Sequence, residues 1–265
     1  MSALIDQIGI GKNFFLIAGN CVVEDEATSL ETARFLKEIC RKLELPLVYK
    51  SSYRKANRIS GSSFASIGDQ AAIDILGKIK RDLSLPILTD VHETPEIDIL
   101  RDIDILQIPA FLCRQTELIQ AAAATGKWVN IKKGQSMAPE NMDEAAAKGA
   151  KLNGNRMMLT ERGTSFGYNN LIVDFRSLAI MKSFGYPVIF DATHAVQRPG
   201  RLGSSSGGDR QFVLPLAKAA AAVGIDGLFI ETHPEPSRAK SDAATQIPLD
   251  EMPHLLDEIM KIVRR

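Results

Sequence analysis

The sequence predicts an α/β fold, a (β/α)8 or TIM barrel. Three observations carry that expectation. Eight short apolar or β-branched runs recur from one end to the other, each is followed by a segment of helical periodicity, and no linker, repeat or shift in composition divides the 265 residues. Runs that are apolar at successive positions read as strands buried on both faces, as in a parallel sheet under helices. A doubly wound sheet is the alternative, but it rarely uses eight units of such regularity. One barrel domain over residues 1–265 is expected, because α/β barrels run well past the usual domain size.

Taken in order, the first strand is expected at Phe14–Ala18 and leads to a helix over Thr28–Leu43. There Thr28 to Glu31 fits a capping box, and Leu30, Ala33, Phe35, Leu36, Ile39 and Leu43 mostly recur at helical spacing. Leu47–Lys50 precedes a helix at Gln70–Asp82, and Ile87–Thr89 precedes a shorter one at Pro95–Leu100. Ile103–Gln107 is followed by Gln115–Thr125, and Trp128–Ile131 by Pro139–Lys148. Met157–Leu159 leads to Leu171–Phe184, Val188–Asp191 to Gln211–Val223, and Gly227–Ile230 to Leu249–Val263. Pro46, Pro86 and Pro187 each stand just before a strand, where proline ends what came before. Two connections are long, Thr193–Arg210 and Thr232–Pro248, and in a barrel both fall on one face. The first holds the Gly/Ser-rich run Pro199–Gly208, which lacks the Gly-Lys-Ser/Thr ending of a P-loop and reads either as a mobile lid or as a plain flexible loop.

Composition excludes several classes. Lys plus Arg is 32 and Asp plus Glu is 32, so bulk charge gives no reason to expect nucleic-acid binding. Aromatics are 6% with one tryptophan, Trp128, too few for single-strand stacking platforms. Three cysteines, Cys21, Cys40 and Cys113, suggest a reducing compartment and no disulfide framework. No apolar run is long enough to cross a bilayer, and the first residues do not resemble a secretory signal. A cytoplasmic protein with no membrane association is the expectation.

In such a barrel the chemistry sits where the strands end. The ends read, in order, Asn20 and Cys21, Lys50 and Ser52, Asp90 and His92, Gln107, Asn130 and Lys132, Arg162, Asp191 and His194, and Glu231. A purely structural barrel needs no such polar ring. Lys50 to Arg58 concentrates four cations, and no acid occurs between Glu44 and Asp69 to neutralise them. With Lys132, Lys133 and Arg162 at the same mouth, the cluster suits phosphate or carboxylate anions; a solvated basic loop is the alternative. Cys21, His194, Glu231 and Asp242 combine thiolate, imidazole and carboxylates, a donor set suited to a divalent transition metal. Equally, Cys21 reads as a small buried hydrophobe and His194 as a general base.

The residues also resemble a known family. Lys50–Arg58, Thr89–Glu93, Gln107–Phe111, Asn130–Lys133, Glu161–Gly163 through Phe166–Tyr168, Phe190–Ala195 and Phe229–Pro234 are similar to 3-deoxy-D-manno-octulosonate 8-phosphate synthases. The resemblance covers the chain from about Phe14 onward. It implies a barrel that condenses phosphoenolpyruvate with D-arabinose 5-phosphate and water, releasing inorganic phosphate, for lipopolysaccharide precursor synthesis in a Gram-negative cytoplasm. The related first enzyme of the shikimate pathway uses erythrose 4-phosphate and typically has Lys-Pro-Arg-Thr where this chain has Lys55-Ala-Asn-Arg58. By the resemblance, Lys50, Lys55, Lys132 and Arg162 hold phosphoenolpyruvate, with Gln107, Ala110 and His194 nearby. Asn57 and Arg58 face the sugar phosphate, and Ser52, Asp90 and Gln197 complete the substrate site. Catalytic roles fall to His194, Asp242, Lys55 and Asn57. Aligned on Val22-Val-Glu24, Cys21 takes the metal-ligand position of the metal-dependent type, and Ser241-Asp-Ala243 resembles that type too. Asn20 stands where those members usually have proline. The implied cofactor is a divalent metal (Zn, Fe, Mn or Co) on Cys21, His194, Glu231 and Asp242, with no organic cofactor. The implied assembly is a homotetramer.

Overall fold

The computed structural model describes residues 3–56, 61, 63–200 and 207–264. Eight parallel strands form the barrel: β1 (Phe15–Gly19), β2 (Leu47–Lys50), β3 (Ile87–Asp90), β4 (Ile105–Ile108), β5 (Trp128–Lys132), β6 (Met157–Glu161), β7 (Val188–Asp191) and β8 (Gly227–His233). They pair in chain order, and β1 closes on β8 with Phe15 opposite Gly227 and Gly19 opposite Glu231. The helices are α1 (Ala3–Ile8), α2 (Glu26–Lys42), α3 (Asp69–Leu83), α4 (Thr116–Ala124), α5 (Asn141–Ala150), α6 (Arg176–Lys182), α7 (Val213–Val223) and α8 (Met252–Val263). This is the (β/α)8 barrel that the apolar runs predict.

The period-two alternation of a strand explains the two cores. Along β1, Phe15 and Ile17 point into the barrel, where they pack with Val48, Leu88, Ile105, Met158, Ile189 and Phe229. Leu16 and Ala18 point outward and join the larger core beneath the helices. Where β1 and β2 draw together the chain has Gly19, and a Cβ there would lie 2.1 Å from the Lys50 carbonyl oxygen. Ile5 and Ile8 of α1 plug the amino-terminal end of the barrel, leaving the opposite end open.

Several elements differ from expectation. α1 was not foreseen, because six residues with two buried isoleucines give too short a pattern. The cap of α2 is Asp25, not Thr28: its carboxylate accepts from the Thr28 amide at 2.7 Å, and the helix starts at Glu26. Thr94–Leu100 is a 3-10 helix. The expected helix from Leu171 shrinks to Arg176–Lys182, because Leu171–Ile172 pairs antiparallel with Thr164–Ser165. The last helix starts at Met252, after a 3-10 turn over Leu249–Glu251. β8 runs to His233, and Ile247–Pro248 returns beside its end, with Ile247 opposite Thr232. Part of the Pro199–Gly208 run lies outside the described residues; Gln197–Arg198 pairs with Gly207–Gly208 at its base.

Candidate active site

At the carboxyl ends of the strands lies a cavity of about 790 Å³. Lys50, Ser52, Lys55, Asp90, Gln107, Ala110, Lys132, Arg162, His194 and Gln197 all line it, as does Asp242. Each comes from a strand end or the loop after it, so the side chains converge because the strands do. Asn57 and Arg58 lie outside the described residues.

Two of the cations, Lys50 and Lys132, are held by buried carboxylates. Lys50 Nζ donates to Glu231 Oε1 at 2.7 Å and to the Cys21 carbonyl at 3.2 Å. Lys132 Nζ donates to Asp191 Oδ2 at 2.5 Å and sits 3.8 Å from the centre of the Phe229 ring. Lys55 Nζ donates to Ser52 Oγ at 2.9 Å. Burial opposes the charge of Lys55, yet the groups around it, Cys21, Glu231, Asp90 and Asp242, raise its pKa above the ordinary lysine range. Burial likewise opposes the charge of Glu231, but Lys50, His194 and Lys55 outweigh it and keep the carboxylate ionised. Lys132 is pulled below its ordinary range by burial, against the attraction of Asp191.

Arg162 Nη2 donates to Gln197 Oε1 at 2.7 Å. Its Nη1, Asp90 Oδ1 and Glu231 Oε2 are buried with no hydrogen-bond partner among the described residues. Buried polar atoms are almost always satisfied, so these three open valences at one mouth mark where a polar ligand belongs.

Beside them Cys21, Glu231 and Asp242 bring their ligand atoms within 4.8 Å of one another, a cluster that could hold a metal ion. Cys21 Sγ is 3.2 Å from Asp242 Oδ2, and His194 Nε2 is 3.8 Å from a carboxylate oxygen of each of Glu231 and Asp242. Burial, then Asp242 and Glu231, push the Cys21 thiol well above its ordinary range. A cation reverses that balance, since a coordinating thiol deprotonates. The sulfur and carboxylate donors of that cluster fit a divalent transition metal, and the His194 nitrogen stands beside them, outside the three-residue cluster. Asn20 turns the other way. Its side chain donates to Thr32 Oγ1 at 3.1 Å and accepts from the Tyr49 hydroxyl at 2.8 Å, behind the barrel wall.

Some residues of the site carry no assignment in the sequence analysis. Asp191 contacts both Lys132 and His194 Nδ1, the latter at 2.7 Å, and so turns Nε2 toward Glu231 and Asp242. Gln246, fully buried, accepts from the Cys21 amide at 3.3 Å and donates to the Ser241 carbonyl at 2.8 Å, tying together the segments that carry Cys21 and Asp242. Asp191 stands in the ring of strand ends, which is a signal; Gln246 stands in a long loop and has none.

The family model described as "DAHP synthetase I family" matches residues 4–264. A protein named 2-dehydro-3-deoxyphosphooctonate aldolase from Burkholderia cenocepacia is 55% identical over 263 residues, covering 97% of this chain and 93% of its own. Proteins of the same name from Paraburkholderia phymatum and Paraburkholderia xenovorans are 56% and 55% identical, with the same shares of both chains covered.

Proposed function

The chain belongs to the DAHP synthetase I family, and on that premise we propose that it condenses phosphoenolpyruvate with D-arabinose 5-phosphate and water, yielding 3-deoxy-D-manno-octulosonate 8-phosphate and inorganic phosphate. The observation that carries the proposal is the single cavity into which the cationic and polar strand ends converge. Two multiply charged anions must lie side by side there, and only fixed positive charge in a water-poor site offsets their repulsion.

Lys50, Lys55, Lys132 and Arg162 hold the phosphate and carboxylate of phosphoenolpyruvate, with Gln107, Ala110 and His194 beside them. Asp90, Ser52, Gln197, Asn57 and Arg58 receive the sugar phosphate. The enol carbon attacks the aldehyde carbon, water adds at C2, and the tetrahedral intermediate expels phosphate by C–O cleavage. His194 and Asp242 carry the protons of these steps, a reading supported by their contact and by the contact of Asp191 with the imidazole. Cys21, His194, Glu231 and Asp242 are the groups that would hold a divalent metal such as Zn, Fe, Mn or Co. Such an ion supplies Lewis acidity toward the aldehyde oxygen or a water. No organic cofactor enters the scheme. One barrel domain, a homotetramer and a cytoplasmic setting complete the proposal; no helix among the described residues is long and apolar enough to cross a membrane.

Phosphate release measured with each sugar phosphate tests this. Release with arabinose 5-phosphate and none with erythrose 4-phosphate is expected; comparable turnover of the four-carbon sugar assigns the chain to the shikimate-type reaction. Borohydride trapping leaves Lys50 and Lys132 unmodified in this scheme, whereas a covalent adduct on either would mean a Schiff-base aldolase.

A further inference from the structure

In the cavity wall lies a buried cluster of which the scheme above uses only Asp90. Glu96, in the 3-10 turn after β3, is 8% exposed and does not line the cavity. Its Oε2 accepts from the Tyr53 hydroxyl at 2.5 Å and from the His92 amide at 2.8 Å, and faces His92 Nδ1 at 3.3 Å. Its Oε1 pairs with Arg54, which also reaches Asp69. The other ring nitrogen of His92, Nε2, faces Asp90 Oδ2 at 3.1 Å. A ring whose two nitrogens both face carboxylates must donate from both. Asp90 thus has one oxygen clamped, while Oδ1 is buried at the cavity and has no partner among the described residues.

We propose that Glu96 is a positioning residue: through His92 it fixes the Asp90 carboxylate so that Oδ1 accepts a hydroxyl of the sugar phosphate. The inference rests on the reading that Asp90 faces the sugar. Four groups converge on Glu96, far more than a turn of this length needs, and they leave it no freedom to rotate. His92, at the edge of the cavity, is thereby held against Asp90. An open carboxylate acceptor of fixed direction discriminates a hydroxyl, since a sugar lacking it leaves the buried oxygen unpaired. Arg54 and Tyr53 keep Glu96 in place, and Lys55, across the cavity, adds to the field that keeps Asp90 charged.

Steady-state kinetics of Glu96→Gln, Asp90→Asn and the double variant test this in the full-length, metal-loaded enzyme. Glu96→Gln is expected to raise KM for arabinose 5-phosphate about tenfold, the effect of loosening one charge-assisted hydrogen bond, with KM for phosphoenolpyruvate within about twofold of wild type. Asp90→Asn should do at least as much, and adding Glu96→Gln to it should change little, because both act through one carboxylate. Equal loss for both substrates in Glu96→Gln would reduce Glu96 to a structural role and overturn the inference. If Asp90→Asn leaves the sugar KM unchanged, the reading of Asp90 fails instead. Should Glu96→Gln not fold, histidine-labelled wild-type protein at neutral pH still decides. The resonance that disappears in His92→Asn should be an imidazolium; a neutral tautomer there would overturn the clamp.

Discussion

Arg162 and Lys132 stand at the same mouth with different consequences for substitution. Among the described residues the Arg162 side chain is hydrogen-bonded to the neutral Gln197 alone, so Arg162→Ala breaks no direct ion pair. The loss of one charge-assisted contact, about 1.5–3 kcal/mol, should lower kcat/KM for phosphoenolpyruvate by roughly 10–150-fold with little change in melting temperature. Lys132→Ala should lose activity and also stability, because it takes the lysine partner from Asp191, which is fully buried. Breaking a buried pair costs about 3–5 kcal/mol, visible as a lower denaturant midpoint. Wild-type kinetics for Arg162→Ala would put phosphoenolpyruvate elsewhere. For Cys21→Asn, elemental analysis after metal loading and desalting should show weaker retention, by more than the roughly 10–100-fold that loss of an outer partner costs. Undiminished metal content would make Cys21 a packing residue. The cysteine was legible because it ends a strand. That Asn20 turns outward was not legible, because Asn20 and Cys21 stand side by side just past the end of β1 and the local sequence is silent on which of them faces the site.

The short turn after β3 behaves as a charge device of its own. Burial opposes the imidazolium of His92, but hydrogen bonds to Asp90 and Glu96 and their charges raise its pKa to about 9. Burial also opposes the carboxylate of Glu96, yet bonds from His92 and Tyr53 lower it to about 2. A raised histidine lends stability below its unfolded pKa, near 6.5, and loses it as pH climbs through 9. A lowered glutamate lends stability above about 4.5 and loses it as pH falls through 2. Denaturation curves of the wild type should therefore weaken between pH 6.5 and 9 by an amount that His92→Asn does not show; parallel curves for the two proteins would contradict this. The sequence shows the motif Thr89-Asp-Val-His-Glu93 plainly, but not Glu96, whose role exists only because a 3-10 turn folds it back beneath His92. The same limit explains the helix expected from Leu171: an apolar doublet fits either period, and pairing with Thr164–Ser165 decides between them.

Across the whole molecule, the barrel divides its labour between two ends. The closed end is apolar, with Ile5 and Ile8 buried in the same inner cluster as Phe15, and the open end carries the charged groups. Ile5→Ala with Ile8→Ala should cost about 2 kcal/mol apiece, read as a lower melting temperature, and leave kcat/KM within about twofold. A loss of activity out of proportion to stability would show the two ends to be coupled. The eight-strand plan was legible because parallel strands buried on both faces write themselves as apolar runs. The seam where β1 meets β8 carries a consequence in time. Cys21 belongs to the first strand end, while Glu231 and Asp242 arrive more than two hundred residues later in the chain. During synthesis, seven strands can emerge and begin to pair while the thiol waits alone. The cluster comes into being only when the last strand docks, so a chain arrested before Asp242 carries most of a barrel and no place for an ion.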